Sequence, residues 1–475
     1  MTTLIRHFSL AAFLLIFAAN SLAAQEIWSL ERCVQTAVTN NRTVKQSDLL
    51  VRGEQLTLQL NKAARLPSLT GQGNMGGQFG FSIDPATNAV VSQAVGINSW
   101  SLNSGITLYN GGQIQKSIQQ SGYNIQASEA EAQATRNTLA LQVASSYLQI
   151  LLSEEQLSSA KKRLELSNQQ LERTEKLIKA GTLAPNSRYD FLAQIARDEQ
   201  SVVSAENTVD IAYLTIKILM ELDPDFNLKV ERPTVTIPVA NPNNFGLKAI
   251  YTQALGTQPQ VRAGELRLKS ANTGVLIANA AKMPTISAYA QLDTRYSTLG
   301  MRADEDVPPT INNTTVVIQN NEIEIGFYQP VLEKMPYFNQ IGQNFGQAIG
   351  LSLQVPILTN GRNSVNIQRA ELAVQQQELA NLQTQQQLKG DIQTAIANAR
   401  AAQKQFDAAQ KTFDATKTAY ENADRRFAVG AINAFELTTA RNNMDTSEIN
   451  LILAKYDYIF RQKIIEFYEG KTMKL

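Results

Sequence analysis

Leu30-Glu31-Arg32-Cys33-Val34-Gln35-Thr36-Ala37-Val38 and Leu247-Lys248-Ala249-Ile250-Tyr251-Thr252-Gln253-Ala254-Leu255 share one pattern at an offset of 217 residues. The same offset lays Leu66-Pro67-Ser68-Leu69 on Met283-Pro284-Thr285-Ile286. Further along, Gly112 matches Gly361 and Gly181 matches Gly430, now at an offset of 249. A tandem duplication accounts for both offsets if the second copy carries about 32 extra residues, which the polar stretch Arg302–Gln340 supplies. The expected division is a leader over 1–24, a first repeat over 25–228, an inter-repeat linker over 229–246, a second repeat over 247–467 and a tail over 468–475. Each repeat reads as helix, two strands, very long helix, shorter helix. The first helices are expected over Leu30–Arg65 and Leu247–Lys282, ended by Pro67 and Pro284, because a residue that precedes proline is pushed out of the helical region.

Between Gly112 and Gly181 lie 68 residues with no proline, and between Gly361 and Gly430 another 68, again with none. At about 1.5 Å per residue each predicts a helix roughly 100 Å long. Large residues recur every seven: Val143, Ile150, Leu157, Leu164, Leu171 and Ile178 in one copy, Ile392, Ala399, Phe406, Phe413, Tyr420 and Phe427 in the other. Three residues later both copies carry small ones, Ser146, Ser153, Ala160, Ser167 and Thr174 against Ala395, Ala402, Ala409, Thr416 and Ala423. A large–small seam lets backbones approach closely; a plain two-stranded coiled coil would carry large residues at both positions. The shorter helices also run in sevens, through Ile195, Val202, Val209 and Ile216, and through Leu437, Met444, Leu451, Tyr458 and Ile465. Gly181 and Gly430 therefore turn two helical hairpins.

Four segments alternate with period two. Leu69, Gly71, Gly73, Met75, Gly77, Phe79 and Phe81 share a face, as do Trp100, Leu102, Ile106 and Leu108; Ile286, Ala288, Ala290 and Leu292; and Ile349, Leu351, Leu353 and Val355. Polar or small residues fill the other face. This fits a barrel wall between lipid and water, and on pattern alone also a soluble sheet packed on helices. Four strands cannot close a barrel, and open edges are not tolerated in lipid, so a membrane reading requires several chains. Three would give twelve strands.

Composition narrows the function. The balance of 43 basic and 42 acidic side chains removes the electrostatic case for nucleic acid. The one histidine, His7, lies in Met1–Ala24, which has a basic start, an apolar run and a small-residue end, and reads as a cleaved secretory leader. Without His7, and with Cys33 as the one cysteine, triad catalysis, His-ligated metals and an internal disulfide are excluded. No cofactor is expected. Gly71-Gln72-Gly73-Asn74-Met75-Gly76 matches the dinucleotide fingerprint but sits inside a predicted strand, where that fingerprint cannot work. Lys161-Lys162-Arg163 reads as a solvated helix face, Cys33 as core packing, and no carboxylate cluster stands out.

The opening Trp28-Ser29-Leu30-Glu31-Arg32-Cys33 through Ala37 and Asn40-Asn41, the boundaries at Pro67 and Pro284, the turns Leu108-Tyr109-Asn110-Gly111-Gly112 and Ile357-Leu358-Thr359-Asn360-Gly361, and the tips Ala180-Gly181-Thr182 and Val429-Gly430-Ala431 together resemble the TolC family of outer-membrane efflux proteins. The resemblance covers essentially the whole chain after the leader. It implies a mostly α protomer with a membrane β-barrel. Three protomers would build a twelve-helix α-barrel and a twelve-stranded β-barrel, set in outer-membrane lipid and reaching into the periplasm. It implies passive export, with a periplasmic adaptor (membrane fusion) protein and an inner-membrane RND or ABC transporter as partners. It also implies that the tips, with Lys176, Gly181, Thr182, Arg425, Gly430 and Ala431, meet the adaptor. Glu436 takes the place of the family's acidic periplasmic gate, with Asp190 as its counterpart in the first repeat; Thr439 departs from that pattern. The linker and tail would form an equatorial belt. The competing readings are a periplasmic coiled-coil adaptor, a structural envelope protein and, more distantly, a secreted enzyme that uses carboxylates alone.

Overall fold

The computed structural model describes residues 27–83, 90–92, 94–232, 246–318 and 321–471. The expected leader, most of the linker and the last four residues of the tail lie outside them. The chain divides into two compact units, one of residues 1–54, 123–268 and 375–475, the other of residues 55–122 and 269–374.

The first unit is helical. Its helix α1 (Leu30–Asn40) begins at Ser29, whose side chain accepts the Arg32 N–H at 3.4 Å. The single helix expected up to Arg65 is in fact broken. Asn41 takes an extended ψ of 132°, accepts the Thr43 N–H at 2.9 Å and donates to the Leu219 carbonyl at 3.1 Å, and α2 (Arg42–Ala63) follows. An Asn side chain that offers the backbone a local partner competes with helix continuation. The second expected helix also breaks, between α5 (Leu247–Thr257) and α6 (Pro259–Ala280), at extended Gln258. There the cause is Pro259, which excludes Gln258 from the helical region and is itself suited to a first helical position. The ends at Ala63 and Ala280 fall two residues short of the expectation.

The long helices α3 (Gln113–Lys179) and α8 (Arg362–Ala428) have 67 residues each, and are followed by α4 (Ser187–Leu219) and α9 (Ala434–Tyr468). Along α3 beyond Ile150 the small positions are the hidden ones, whereas nearer the main core the large Val143 and Ile150 are themselves fully buried. Ser153, Ala160, Ser167 and Thr174 are buried, whereas Leu157, Leu164 and Leu171 are half-buried. Close backbone approach explains this, since a small side chain disappears beneath its neighbour and a large one spreads around it. The main core joins Cys33, Val143, Tyr147, Ile150, Ile216, Met220 and Ile459. At its edge β1 (Ile27–Trp28) pairs in parallel with β6 (Lys229–Val230), and the Tyr147 hydroxyl donates to the Glu231 carbonyl at 2.7 Å.

The second unit is built on a four-stranded antiparallel sheet in the order β12-β7-β5-β2. Its strands are β2 (Ser68–Gln78), β5 (Val95–Asn110), β7 (Thr285–Ser297) and β12 (Gly346–Gln354). The register places the expected apolar positions together. Gly71 stands opposite Leu102, Leu102 opposite Leu292, and Ala290 opposite Ile349. One residue departs. The pairing slips between Thr107 and Tyr109, so that Tyr109 and not Leu108 stands opposite Ile286. A bulge reverses the inward–outward parity beyond it, which period-two counting cannot foresee. Short hairpins add to the sheet's far end. They are β3 (Phe81–Ile83) with β4 (Val90–Ser92), β8 (Met301–Ala303) with β11 (Leu332–Lys334), and β9 (Thr310–Ile318) with β10 (Asn321–Gln329). The stretch read as extra and polar thus holds four strands, and the short helix α7 (Tyr337–Gln343) follows them. No helix among the described residues is long and apolar enough to cross a membrane.

Candidate functional site

Both hairpin tips are made the same way. Gly181 has φ +75° and Gly430 φ +73°. The Thr182 N–H reaches the Leu177 carbonyl at 3.0 Å and the Gly181 N–H the Ile178 carbonyl at 2.9 Å. In the other tip the Ala431 N–H reaches Arg426 at 2.9 Å and the Gly430 N–H Phe427 at 3.0 Å. These paired bonds satisfy the last helical carbonyls, and they need a left-handed residue at the glycine. Beneath the turns Phe191, Phe427, Ile432, Ala434 and Leu437 form one core, with the rings of Phe191 and Phe427 edge to face at 6.0 Å. That contact carries about 0.5–1.5 kcal/mol beyond its buried area. It fastens α4 to α8 and so holds the two tips side by side.

On this base Gly181, Thr182, Gly430 and Ala431 are exposed, as are Lys176 and Arg425. Lys176 is not idle: its Nζ lies 2.8 Å from Glu172 one turn earlier. Glu436 is exposed at the third position of α9, where it has a local partner. Asn433 accepts the Glu436 N–H at 2.9 Å and its Nδ2 donates to Glu436 Oε1 at 3.3 Å. This is a reciprocal helix cap. Asp190 stands exposed in the first turn of α4, and Thr439 donates to the Phe435 carbonyl at 2.8 Å. Glu436 therefore serves its own helix whatever else it does.

The strand-to-helix turns carry paired left-handed residues, Gly111 (φ +65°) with Gly112 (φ +80°), and Asn360 (φ +48°) with Gly361 (φ +75°). At Gly111 an added Cβ would also lie 2.8 Å from the Ala280 carbonyl oxygen, so no other residue fits. Pro67 and Pro284 directly precede β2 and β7.

One cluster escaped the sequence reading. Arg441 on α9 is 3% exposed. Its Nη2 lies 3.7 Å from Asp198 of α4 and donates to the Arg163 carbonyl of α3 at 2.6 Å; its Nε lies 3.7 Å from Asp445. Ser167 and Gln194 also donate to Asp198. Burial pushes the Asp445 carboxyl up to about 6, against the pull of Arg441 and Arg163. Arg163, expected to be solvated with its two lysine neighbours, instead half buries here. The signal was present: Arg441 and Asp445 are one turn apart between the buried Leu437 and Ile452. Following the Leu437–Met444–Leu451 row placed them beside the seam and not in it.

In the sheet, two glycines of the Gly71–Gly76 run make room for side chains of β5. The Trp100 ring covers Gly73, where an added Cβ would meet it at 2.4 Å, and Leu102 covers Gly71. Away from α7 the apolar face is bare, with Ile349 88% exposed. Among the described residues no group of His, Cys, Asp and Glu could hold a metal ion.

A family model described as outer membrane efflux protein matches residues 33–220 and 250–463. The cation efflux system protein CusC of Escherichia coli (strain K12) is 22% identical over 433 residues, which cover 89% of this chain and 82% of that protein. Among solved structures, CusC is similar with a TM-score of 0.72 at 19% identity, over 95% of this chain and 96% of that one. The outer membrane protein VceC of Vibrio cholerae gives 0.72 at 15% identity, over 94% and 97%. The outer-membrane channel OprN gives 0.71 at 17%, over 93% and 90%. With most of its length matched by the family model, the chain belongs to the outer membrane efflux protein family, a family of channel proteins and not of enzymes.

Proposed function

We propose that the chain is one third of an exit duct that conducts substrates passively from the periplasm to the exterior. The observation that carries this is the sheet. Its edge strands β2 and β12 have no outer partner among the described residues, and one face is uncovered apolar surface. Hydrocarbon admits neither an open edge nor an unpaired backbone, so the sheet is completed by copies of itself. Three copies give twelve strands, and α3, α4, α8 and α9 of each give the helical tunnel. Outer-membrane lipid meets the Leu102, Leu292, Ile349 and Leu351 face.

In this reading residues 25–228 and 247–467 act as two repeats joined by the linker, and the tips around Gly181 and Gly430 receive a periplasmic adaptor. Lys176, Thr182, Arg425 and Ala431 present the contact surface. Energy comes from an inner-membrane transporter of the RND or ABC class, the kind of partner with which outer membrane efflux proteins work. Glu436 rings line the closed periplasmic end and favour cations there. The CusC relatives are cation efflux system proteins, which makes cations the first substrates to assay. The test is complementation. A deletion strain should accumulate an efflux substrate, and the cloned chain, recovered in detergent-extracted outer membrane, should clear it. Full clearance without the chain contradicts the proposal.

A further inference from the structure

Across the four strands of the sheet only Asp293 and Arg295 are charged, and both stand on β7. Register puts them on the polar face. Asp293 stands opposite Ser101 and Gly346, and Arg295 opposite Ser99. Ser101 and Ser99 in turn face Gln72 and Asn74. The contacts agree, because the Asp293 carboxylate lies over Gly346, whose added Cβ would meet Oδ1 at 3.2 Å. Both side chains are exposed, and neither has an ion pair or side-chain hydrogen bond among the described residues.

Thr294 between them faces the other way, donating to the Ile341 carbonyl at 2.7 Å. Beside it on that face Trp100 donates to the Tyr337 hydroxyl at 3.3 Å, and the Tyr296 and Tyr337 rings lie 4.8 Å apart. An aromatic group of this kind marks the membrane–water boundary of a barrel. The strand's length agrees. From Thr285 at the helix end to Asp293, at about 3.3 Å per residue and roughly 40° of tilt, the chain climbs about 20 Å, near the top of an apolar band ~25 Å tall.

We propose that Asp293 and Arg295 set the charge preference of the barrel's outer mouth, as a ring of three carboxylates and a ring of three guanidiniums one layer apart. This rests on the trimeric barrel above. The four-stranded wall around them offers only Ser, Thr, Asn, Gln, Tyr and small residues, and in the hairpin that follows β7 Arg302 is paired with Glu333, so these two rings dominate the field within the wall. Because they oppose each other, the mouth is near neutral, and suits a solute that bears both signs; removing one ring unmasks the other.

The experiment is the reversal potential of single channels in planar bilayers under a salt gradient. D293N should shift it toward anion preference and R295Q toward cation preference, with permeability ratios changed several-fold, and the double variant should return close to the parent. Unchanged potentials, or shifts of the same sign, overturn the proposal. A parent chain that forms no channels instead overturns the barrel reading beneath it. A second measurement does not depend on conductance. D293C and R295C should react with a charged, membrane-impermeant thiosulfonate while L292C does not, and the reverse pattern contradicts the placement. Native Cys33 is silent in this assay, being fully buried with its thiol pushed up to about 12.

Discussion

Arg441 on α9 approaches Asp198 on α4 to 3.7 Å, and both side chains are at least nine-tenths buried. Through the Arg163 carbonyl the same guanidinium also holds α3. A buried pair of this kind adds little net stability, but losing one partner strands the other charge. Arg441→Ala should therefore lower helical stability by roughly 3–5 kcal/mol per chain. Thermal melting in detergent by circular dichroism checks this, with Arg441→Met as the variant that keeps the bulk. An unchanged midpoint for both variants contradicts the role.

Asp445 gives that cluster a pH dependence. Its carboxyl is raised to about 6 in the folded chain, from 3.8, because burial disfavours the charged form. A raised carboxyl contributes stability that is fully present below its unfolded value and is lost as pH rises through the folded value. The melting midpoint should thus fall between about pH 4 and pH 7, and Asp445→Asn should flatten the profile while stabilising the chain at pH 7. A profile with the same slope in both proteins argues against it.

Gly430 sits at φ +73° on an exposed turn. Any other residue there costs about 1–2 kcal/mol of backbone strain, and Asp adds charge to the surface proposed for the adaptor. Gly430→Asp and Arg425→Glu should each abolish efflux while outer-membrane levels stay normal. Site-specific cross-linking to the adaptor is the check, and normal cross-linking with normal efflux rules out the contact.

Glu436 has two claims on it, a helix cap and a proposed gate. Gln can keep the cap, since its side-chain oxygen still accepts from Asn433. Glu436→Gln should leave melting unchanged and reduce cation preference in single-channel recordings. If selectivity is untouched, the residue is a cap alone.

At Gly73 the Trp100 ring leaves no room for a methyl group. Gly73→Ala should cut the yield of folded outer-membrane protein, and Gly73→Ala combined with Trp100→Ala should recover part of it. Heat-modifiable migration on gels separates folded from unfolded chains and reads the result directly.

The parts legible in the sequence were those governed by local rules. Glycine and proline punctuation located the long helices to within a residue, because a 68-residue stretch free of proline between left-handed turns has one regular solution. Alternation located the four strands. The break at Asn41 was missed because its partner Leu219 lies about 180 residues away, whereas the break at Gln258 was announced by Pro259 and passed over. The bulge at Leu108 depends on pairing with β7, which lies about 180 residues away. Of the Arg441 cluster, the Arg441–Asp445 spacing was in the sequence, but Asp198 and Arg163 come to it from other helices, and no spacing within α9 announces them.

The central claim is that the sheet is completed only between copies. The most direct measurement is the mass of the detergent-extracted outer-membrane particle by native mass spectrometry. The account predicts three chains per particle. A single-chain particle, or one released by osmotic shock without detergent, would contradict it.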